Sequence, residues 1–341
     1  MTAAVGVLIH RARGFDPVIA TTIALLIVIA IASPSQGVAS VGFLLKAMLF
    51  VSPFLLLSMA AAGAAQASAL DQRISDIVTG RTTIVILGAA FFGSLVPLCS
   101  CGVIPLIAAL LAAGVPLGPV MAFWISSPLM SIEKFILTTA MFDTGFALAY
   151  LITAMILGVV AGFATQALVV RGAFRDVLKE GVVGCCAANA FKADRPLLWK
   201  FWREPDRAAI FRETSMASGL FLVKWLSLAF VIESLMVAFL PPQVVTQMLG
   251  SGDWWAVPAS TAVGIPAYLN GFAAISMVSR LVEMGAAPGA ALAFLTAGAV
   301  TSIPAAMGVF ALVRNSVFFT YIGFGVAGSL VAGYAYQALF V

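Results

Sequence analysis

The sequence predicts an all-α, polytopic membrane protein with two inverted-topology repeats, each containing a broken or re-entrant helix region. Three observations lead to this fold class. The 341-residue chain is 62% hydrophobic and 9% charged, with a mean hydropathy of +1.10, which leaves too few polar side chains to cover a soluble protein of this size. Long apolar stretches alternate with short polar ones. Short motifs of the first half recur in the second half.

The charge and cysteine content narrow the class of protein. The formal net charge of +4 comes mostly from lysines and arginines between apolar stretches, so it reports membrane orientation and does not indicate a nucleic-acid partner. The four cysteines form two pairs, Cys99/Cys101 and Cys185/Cys186. One pair lies in an apolar stretch and the other in a basic loop on the reducing side, so we expect no disulfide framework.

The chain is predicted to divide into a tail, two membrane repeats and a loop. Met1 to Asp16 lacks a short apolar core with a small-residue cleavage site, so we interpret it as a retained cytoplasmic tail. The predicted units are 1–39 (tail and first span), 40–170 (first repeat), 171–214 (cytoplasmic basic loop) and 215–341 (second repeat).

Hydropathy and proline positions predict the elements in order. The first part comprises a span at 17–33, an uncharged connection at 34–37, a span at 40–67, a charged loop at 71–81, helices at 82–95 and 102–113, a turn at 114–119, a helix at 120–130 and a full span at 146–170. After a polar loop at 171–213 come apolar stretches at 215–240, 254–265, 272–284, 288–300 and 317–339.

The distribution of basic residues predicts the orientation. The loop at 171–213 holds nine Lys/Arg and six Asp/Glu, so the positive-inside rule places it and the N-terminal tail in the cytoplasm. Residue 40 then lies outside and residue 171 inside, whereas the second unit begins inside near residue 215. The two repeats are therefore expected to be inverted relative to each other, as in many secondary transporters.

The stretch from Val96 to Leu106 departs most from an ordinary spanning helix. Cys99, Ser100 and Cys101 lie between Pro97 and Pro105, next to Gly102. These prolines and this glycine disfavour regular helix, and irregular backbone in a bilayer must line a cavity or be buried in protein. Thiols two residues apart are soft ligands that suit copper(I), zinc or trivalent arsenic.

Three further interruptions are predicted, and they support the internal repeat. They are Ser126-Ser127-Pro128, the region 265–271 with Pro266, Asn270 and Gly271, and the region 301–304 with Ser302 and Pro304. Pro97 to Gly102 and Pro266 to Gly271 share one spacing, and Phe43-Leu44-Leu45-Lys46 matches Phe221-Leu222-Val223-Lys224. A gapless match aligns Gly114, Gly118, Ala122, Phe123, Ser131 and Ile132 with Gly285, Gly289, Ala293, Phe294, Ser302 and Ile303.

These motifs carry a resemblance to a known family. Pro-Leu-Cys-Ser-Cys-Gly-Val-Ile-Pro-Leu at 97–106, followed by Gly-Val-Pro-Leu-Gly and Ser-Ser-Pro-Leu-Met-Ser, resembles the predicted permease family that includes the ArsP-type organoarsenical efflux permeases. The resemblance implies an inner-membrane exporter for arsenic resistance, in which the thiols of Cys99 and Cys101 bind trivalent methylated or aromatic arsenicals. A third membrane cysteine is missing from this sequence, because the other two thiols lie in the loop.

The predicted substrate-binding residues lie at the breaks, and each has a plainer interpretation. They are Cys99, Ser100, Cys101, Asn270, Ser126, Ser127 and Ser302, with Cys99 and Cys101 also the candidate metal ligands. A buried cysteine is often only a small hydrophobe, and the Asn270 amide can equally satisfy loose backbone groups. Cys185 and Cys186 could trap metal, although adjacent loop cysteines are more often incidental or acylated.

Ionisable residues inside apolar spans are candidates for coupling, because burying charge in a bilayer is expensive. Glu233 lies deepest and is the predicted proton-coupling carboxylate. Lys46 and Lys224 are further candidates, although each could extend to the interface instead.

The resulting hypothesis is a secondary transporter that exports a small thiophilic solute by proton exchange. No nucleotide-binding Gly-x4-Gly-Lys-Ser/Thr motif is present, and no cofactor is expected. The expected partners are a small-molecule or metalloid substrate and the lipid bilayer, with a homo-oligomer left open. The alternatives are a membrane thiol redox protein using Cys99 and Cys101, a permease for an unrelated solute and, less favoured, a channel. An enzyme is not expected, because the sole histidine, His10, lies in the tail.

Overall fold

The computed structural model describes residues 16–69, 82–96, 100, 102–174, 176–179, 198, 200–239, 254–268 and 271–340. Within these residues the helices are α1 (Pro17–Ala32), α2 (Pro34–Ser68), α3 (Thr82–Gly93), α4 (Val103–Ala112), α5 (Leu117–Leu129), α6 (Ile132–Met141), α7 (Thr144–Val170), α8 (Pro205–Phe239), α9 (Ala256–Ala267), α10 (Gly271–Glu283), α11 (Pro288–Thr301), α12 (Ile303–Leu312) and α13 (Asn315–Phe340), with a 3₁₀ turn at Phe201–Arg203. One isolated antiparallel bridge joins Leu178 to Val313. The predicted all-α class is confirmed.

Six segments of the described chain are long and apolar enough to cross a membrane. They are Pro34–Pro53, Leu117–Met141, Thr144–Val170, Pro205–Leu235, Pro288–Leu312 and Asn315–Phe340. Large apolar side chains such as Leu49 and Leu220 are more than 70% exposed on the outer helices, which water would penalise and lipid does not. The protein is therefore a multi-pass membrane protein.

The second span starts earlier than predicted. The expected connection at 34–37 is helical, and only Ser33 separates α1 from α2. Pro34 occupies the first position of α2, where its missing N–H is not needed. Ser33 Oγ accepts from Gln36 N at 3.5 Å, so the turn is capped without a loop.

The predicted polar loop is shorter than expected, because α8 begins at Pro205 and includes residues 205–213. Its charged start is held by Arg207, which donates to Glu204 Oε2 at 2.8 Å and to the carbonyl of Ala67 at 3.1 Å. Polar residues that looked like loop therefore form the first turns of a long helix. The predicted charged loop at 71–81 lies outside the described residues.

Helices α2 and α8 form a long antiparallel pair. Near the start of α2, Ser234 Oγ donates to Ser40 Oγ at 2.9 Å, and near its end Ser215 Oγ donates to the Met59 carbonyl at 3.2 Å. Because the contacts run in opposite chain directions, the first long helix of each half lies antiparallel to its counterpart.

Each half also packs a three-helix bundle, and the two bundles repeat the same contacts. In the bundle of α3, α5 and α7, a Cβ on Gly93 would lie 3.1 Å from the Phe123 carbonyl, and one on Gly162 would lie 3.1 Å from that of Gly118. In the bundle of α9, α11 and α13, the corresponding distances are 2.7 Å from Gly264 to Phe294 and 2.8 Å from Gly333 to Gly289. Each of these residues in the second bundle lies the same number of positions after its counterpart in the first bundle. That number is the offset of the gapless sequence match.

Helices α7 and α13 cross in opposite directions where the bundles meet. The Phe146 ring near the start of α7 lies 5.4 Å from the Tyr336 ring near the end of α13. At the midpoints, a Cβ on Gly328 would lie 2.8 Å from Leu157 Cδ2. Beyond the end of α7, Lys179 N donates to the Leu312 carbonyl at 3.0 Å, just before α13 begins. This pairing sets the central helices of both halves against each other.

Candidate functional site

Two broken spans occupy the centre of the molecule. The segment Leu117–Met141 contains both α5 and α6, and Pro288–Leu312 contains both α11 and α12. The first is interrupted at Met130 and Ser131, whose backbone is extended, and the second at Ser302. Backbone that leaves the helical ladder inside a bilayer needs other partners or a lined cavity. These two breaks are therefore the candidate functional site.

The breaks lie a few residues away from the predicted prolines. Pro128 and Pro266 are the penultimate residues of α5 and α9, and Pro105 and Pro304 lie in the first turns of α4 and α12. A proline in the first turn of a helix removes no hydrogen bond that the helix needs. A proline at the penultimate position is followed by one more helical residue. Gly271 begins α10 instead of interrupting it, and the predicted turn at 114–119 ends earlier because α5 starts at Leu117.

Capping contacts stabilise the α5–α6 break. Ser131 Oγ accepts from Lys134 N at 3.4 Å, and the Lys134 ammonium donates to the Pro128 carbonyl at 2.5 Å. A cation next to the last carbonyls of a helix is favoured by the helix dipole. The side chain of Lys134 therefore caps the C-terminal end of α5.

Buried aromatic residues join the two halves beside the breaks. The Trp124 and Tyr321 rings lie 5.2 Å apart, and Tyr150 Oη donates to the Leu295 carbonyl at 3.3 Å. Tyr150 and Tyr321 occupy corresponding positions of the repeat, as do Trp124 and Leu295. Tyr150 thus contacts Leu295 in the second half, and its counterpart Tyr321 contacts Trp124, the counterpart of Leu295, in the first half. Such reciprocal contacts are typical of an interface around a two-fold axis.

The predicted serines differ in their environment. Ser126 Oγ donates to the Ala122 carbonyl at 2.9 Å, so its hydroxyl is satisfied within α5. Ser127 is fully buried, and within the part of the chain that the structure describes its Oγ has no hydrogen-bond partner, as is also true of Thr296 Oγ1 on α11. Ser127 follows Trp124 by three residues and shares its helix face, which is turned toward the second half. Ser302 is buried at the second break.

The second half contributes a break between α9 and α10. Tyr268 follows α9 and packs so closely on α11 that a Cβ on Gly298 would lie 2.6 Å from its Cβ and Cγ. A Cβ on Gly271 would lie 2.7 Å from Lys134 Cε and 3.2 Å from Tyr268 Oη. A lysine of the first half therefore reaches the break of the second half. Sequence reasoning did not select Lys134 as a site residue, and its position just after the Ser126–Ser131 motif was the available signal.

Much of the predicted break between Pro97 and Gly102 lies outside the described residues. Pro97, Cys99 and Cys101 are among these, as are Asn270, Cys185 and Cys186. Ser100 is half-buried, and the carbonyl of Gly102 accepts from Ser58 Oγ on α2. The described flank of this break is thus held against the α2–α8 pair.

The three candidate coupling residues are found in different surroundings. Glu233 is 2% exposed, and its Oε2 has no hydrogen-bond partner among the described residues. Lys224 instead forms an ion pair of 2.5 Å with Asp16 at the start of α1. Lys46 is exposed on the outer side of α2. Of the three, Glu233 alone is a deeply buried charge.

Comparison with known proteins assigns the family. The model of the ArsP_1 family, described as predicted permease, matches residues 39–338. This chain belongs to that predicted permease family. The match includes both bundles and all the breaks described above.

Two curated relatives extend the comparison. The permease is 21% identical to a UPF0718 protein of Methanocaldococcus jannaschii over 299 residues, which is 72% of this chain and 80% of the relative. It is 33% identical to the UPF0718 protein YcgR of Bacillus subtilis over 79 residues, which is 23% of this chain and 27% of that relative. No solved structure matches.

Proposed function

We propose that this permease is a secondary transporter that exports a small thiophilic solute, with a trivalent organoarsenical as the leading substrate. The observation that carries the proposal is the meeting of two broken spans, one from each half, across the contacts of Tyr150 and Tyr321. Secondary transporters commonly bind substrate between such repeats.

The proposal includes an inverted relation between residues 40–170 and 215–341. Support comes from the repeated bundle contacts and from the antiparallel pairing of α2 with α8 and of α7 with α13. A two-fold axis in the plane of the membrane requires that corresponding helices of the two repeats run in opposite directions. Relative motion of the two bundles would then open the breaks to either side in turn.

The proposed location is the inner membrane, with the N-terminus and residues 171–204 in the cytoplasm. The basic residues of the central segment support this orientation. We further propose that the permease takes its substrate from the cytoplasm and exports it, which would confer arsenic resistance. Proton exchange would supply the driving force, with Glu233 as the coupling carboxylate.

The chemistry of the substrate is proposed from the thiols of Cys99 and Cys101. Thiolates are soft ligands and prefer trivalent arsenic and other soft centres. Ser100, Ser126, Ser127, Asn270 and Ser302 are the proposed polar contacts around them.

Single Cys99→Ser and Cys101→Ser variants test the proposal. Each replaces a soft ligand with a hard one of similar size, so we expect loss of resistance to phenylarsenous acid in cells without another arsenical exporter, and loss of its uptake into everted vesicles. Protein abundance in the membrane should not change. Cys185→Ser and Cys186→Ser are the matched controls and should behave like the parent. Undiminished export by a Cys99→Ser/Cys101→Ser double variant would contradict the thiol mechanism.

A further inference from the structure

Lys134 is a charged residue of the central region to which the sequence analysis assigned no function. It begins on α6 of the first half, and its ammonium reaches the Pro128 carbonyl at the end of α5. Its aliphatic part passes Gly271, the first residue of α10. The side chain thus lies where a break of the first half meets a break of the second.

The neighbouring residues leave room for this side chain. Any Cβ at position 271 would lie 2.7 Å from Lys134 Cε and 3.3 Å from Nζ, so the absence of a side chain at Gly271 is what admits the lysine. Tyr268 Oη lies at the same place, 3.2 Å from that Cβ position, while its ring is held against Gly298. The ammonium is therefore positioned by packing from both halves.

The arrangement is one-sided. The repeat that aligns Ser131 with Ser302 aligns Lys134 with Ala305, whose side chain ends at Cβ. In the described part of the chain, the residue that matches Lys134 in the second half therefore supplies no positive charge to the first half. Glu133 precedes Lys134, but it lies about 100° around the helix, and its buried Oε2 accepts no hydrogen bond from any residue that the structure describes.

A fixed ammonium next to the breaks affects which solutes can enter. Like charges brought close together in a medium less polar than water repel strongly, so a bare soft cation is disfavoured there. An oxygen acceptor on a neutral or anionic solute is favoured, because hydrogen bonds from a charged donor are strong. The unpartnered hydroxyl of Ser127, one residue before Pro128, is a second polar group at the same end of α5.

We propose that Lys134 determines the charge selectivity of the permease, so that it carries a neutral or anionic oxygen-bearing form of a thiophilic element and excludes the bare metal cation. This inference rests on the proposed function and names the form of its substrate. Lys134 is a specificity-determining residue in this scheme.

The test uses the full-length protein in proteoliposomes, with phenylarsenous acid as the neutral oxygen-bearing probe and Zn²⁺ as the bare cation. The parent should transport phenylarsenous acid and resist competition by Zn²⁺. Lys134→Met should raise the apparent KM for phenylarsenous acid at least tenfold with a smaller change in maximal rate, and should make transport sensitive to Zn²⁺. Lys134→Arg should retain the selectivity of the parent. Lys200→Met, at an exposed site outside the helices, is the matched control and should change nothing.

A second variant, Gly271→Ala, tests the same contact in case Lys134→Met does not fold. Gly271→Ala keeps the charge but places a methyl group 2.7 Å from Lys134 Cε, and the flexible end of the lysine can move aside. It should therefore fold and show the same shift in KM and in Zn²⁺ competition.

The outcomes separate this inference from the proposed function. Transport of phenylarsenous acid by the parent, with unchanged KM and unchanged Zn²⁺ resistance in both Lys134→Met and Gly271→Ala, would overturn the role of Lys134 alone. Equal transport of Zn²⁺ and phenylarsenous acid by the parent would also overturn it. A parent that moves neither solute would refute the proposed function, and the selectivity inference with it.

Discussion

Individual residues decide how closely the elements of one half pack, and Gly298 is the clearest case in the second half. The Tyr268 side chain occupies the space where a Cβ would be, at 2.6 Å. Gly298→Ala should therefore force the ring away and destabilise the protein by about 1–3 kcal/mol. Thermal unfolding of the purified protein in detergent measures the effect.

Gly42→Ala is the matched control for that substitution. Gly42 lies inside α2, and nothing lies within 4 Å of its Cβ position. Alanine is a better helix former than glycine by roughly 0.5–1 kcal/mol, so this variant should be slightly more stable. A Gly298→Ala protein as stable as Gly42→Ala would show that Tyr268 does not pack as described.

Glu233 has a testable role at the residue scale as well. It is buried, and one carboxyl oxygen lacks a hydrogen bond to any described residue. This arrangement is energetically unfavourable and is typical of functional groups inside a membrane. Glu233→Gln keeps the shape and removes the titratable proton. We expect binding of phenylarsenous acid to persist, while accumulation against a gradient in everted vesicles is lost. Undiminished accumulation would remove Glu233 from the coupling mechanism.

At the scale of elements, an ion pair of 2.5 Å between Asp16 and Lys224 links the start of helix α1 to α8. The hydrogen bond from Lys224 holds the pKa of the Asp16 carboxyl below its usual range. Its contribution is therefore fully present above the ordinary aspartate pKa of about 3.9, and it is lost as the pH falls through the lowered folded-state pKa.

Asp16→Asn should reproduce that loss at neutral pH. We expect a spin label at the exposed position Ile19 to become more mobile in this variant, with only a small change in overall stability because the pair is partly exposed. In the parent, the label should stay immobile at neutral pH and become mobile only in strong acid. Equal mobility in the parent and in Asp16→Asn would show that the pair does not hold α1.

Most elements followed from the sequence, because long apolar stretches without charge have one stable structure in a bilayer. The errors arose where local signals conflict. Prolines were assigned to breaks, yet Pro105 and Pro304 fit into first turns, where no N–H is needed. The polar run 205–213 was assigned to a loop, yet Arg207 finds partners on Glu204 and α2. Such partners lie far away in the chain and cannot be read from a local pattern.

The candidate site was harder to predict than the fold. The break regions were recognisable from proline and glycine. Ser127 and Ser302, which were predicted to contact substrate, are buried near them, and their contact with substrate stays a prediction. Lys134 was missed because its importance depends on a contact with Gly271 in the other half. No property of α6 alone predicts that contact.

At the scale of the whole molecule, the crossing of α7 and α13 tests how the halves move. Leu157 and Gly328 occupy corresponding positions and touch each other, so they lie where a two-fold axis would pass. Cysteines at both positions should form a disulfide on mild oxidation, because their side chains are within bonding range.

Such a cross-link distinguishes two kinds of motion. A transport cycle in which the bundles pivot elsewhere would be blocked by the disulfide and restored by a reductant, as measured by uptake of phenylarsenous acid into everted vesicles. The single variants Leu157→Cys and Gly328→Cys are the controls. Full transport by the oxidised double variant would mean that the bundles pivot about this crossing itself.

The pairing of Lys134 with Ala305 across the repeat has a consequence for the resting state of the permease. Two identical halves related by an in-plane axis would make the inward-open and outward-open arrangements mirror one another, with equal free energies and equal populations. A lysine matched by an alanine removes that equality, since Ala305 lacks the long charged side chain with which Lys134 reaches Gly271 in the other half. Every 1.4 kcal/mol of difference changes the ratio of the two populations about tenfold. The unloaded protein is thus expected to rest with one side open.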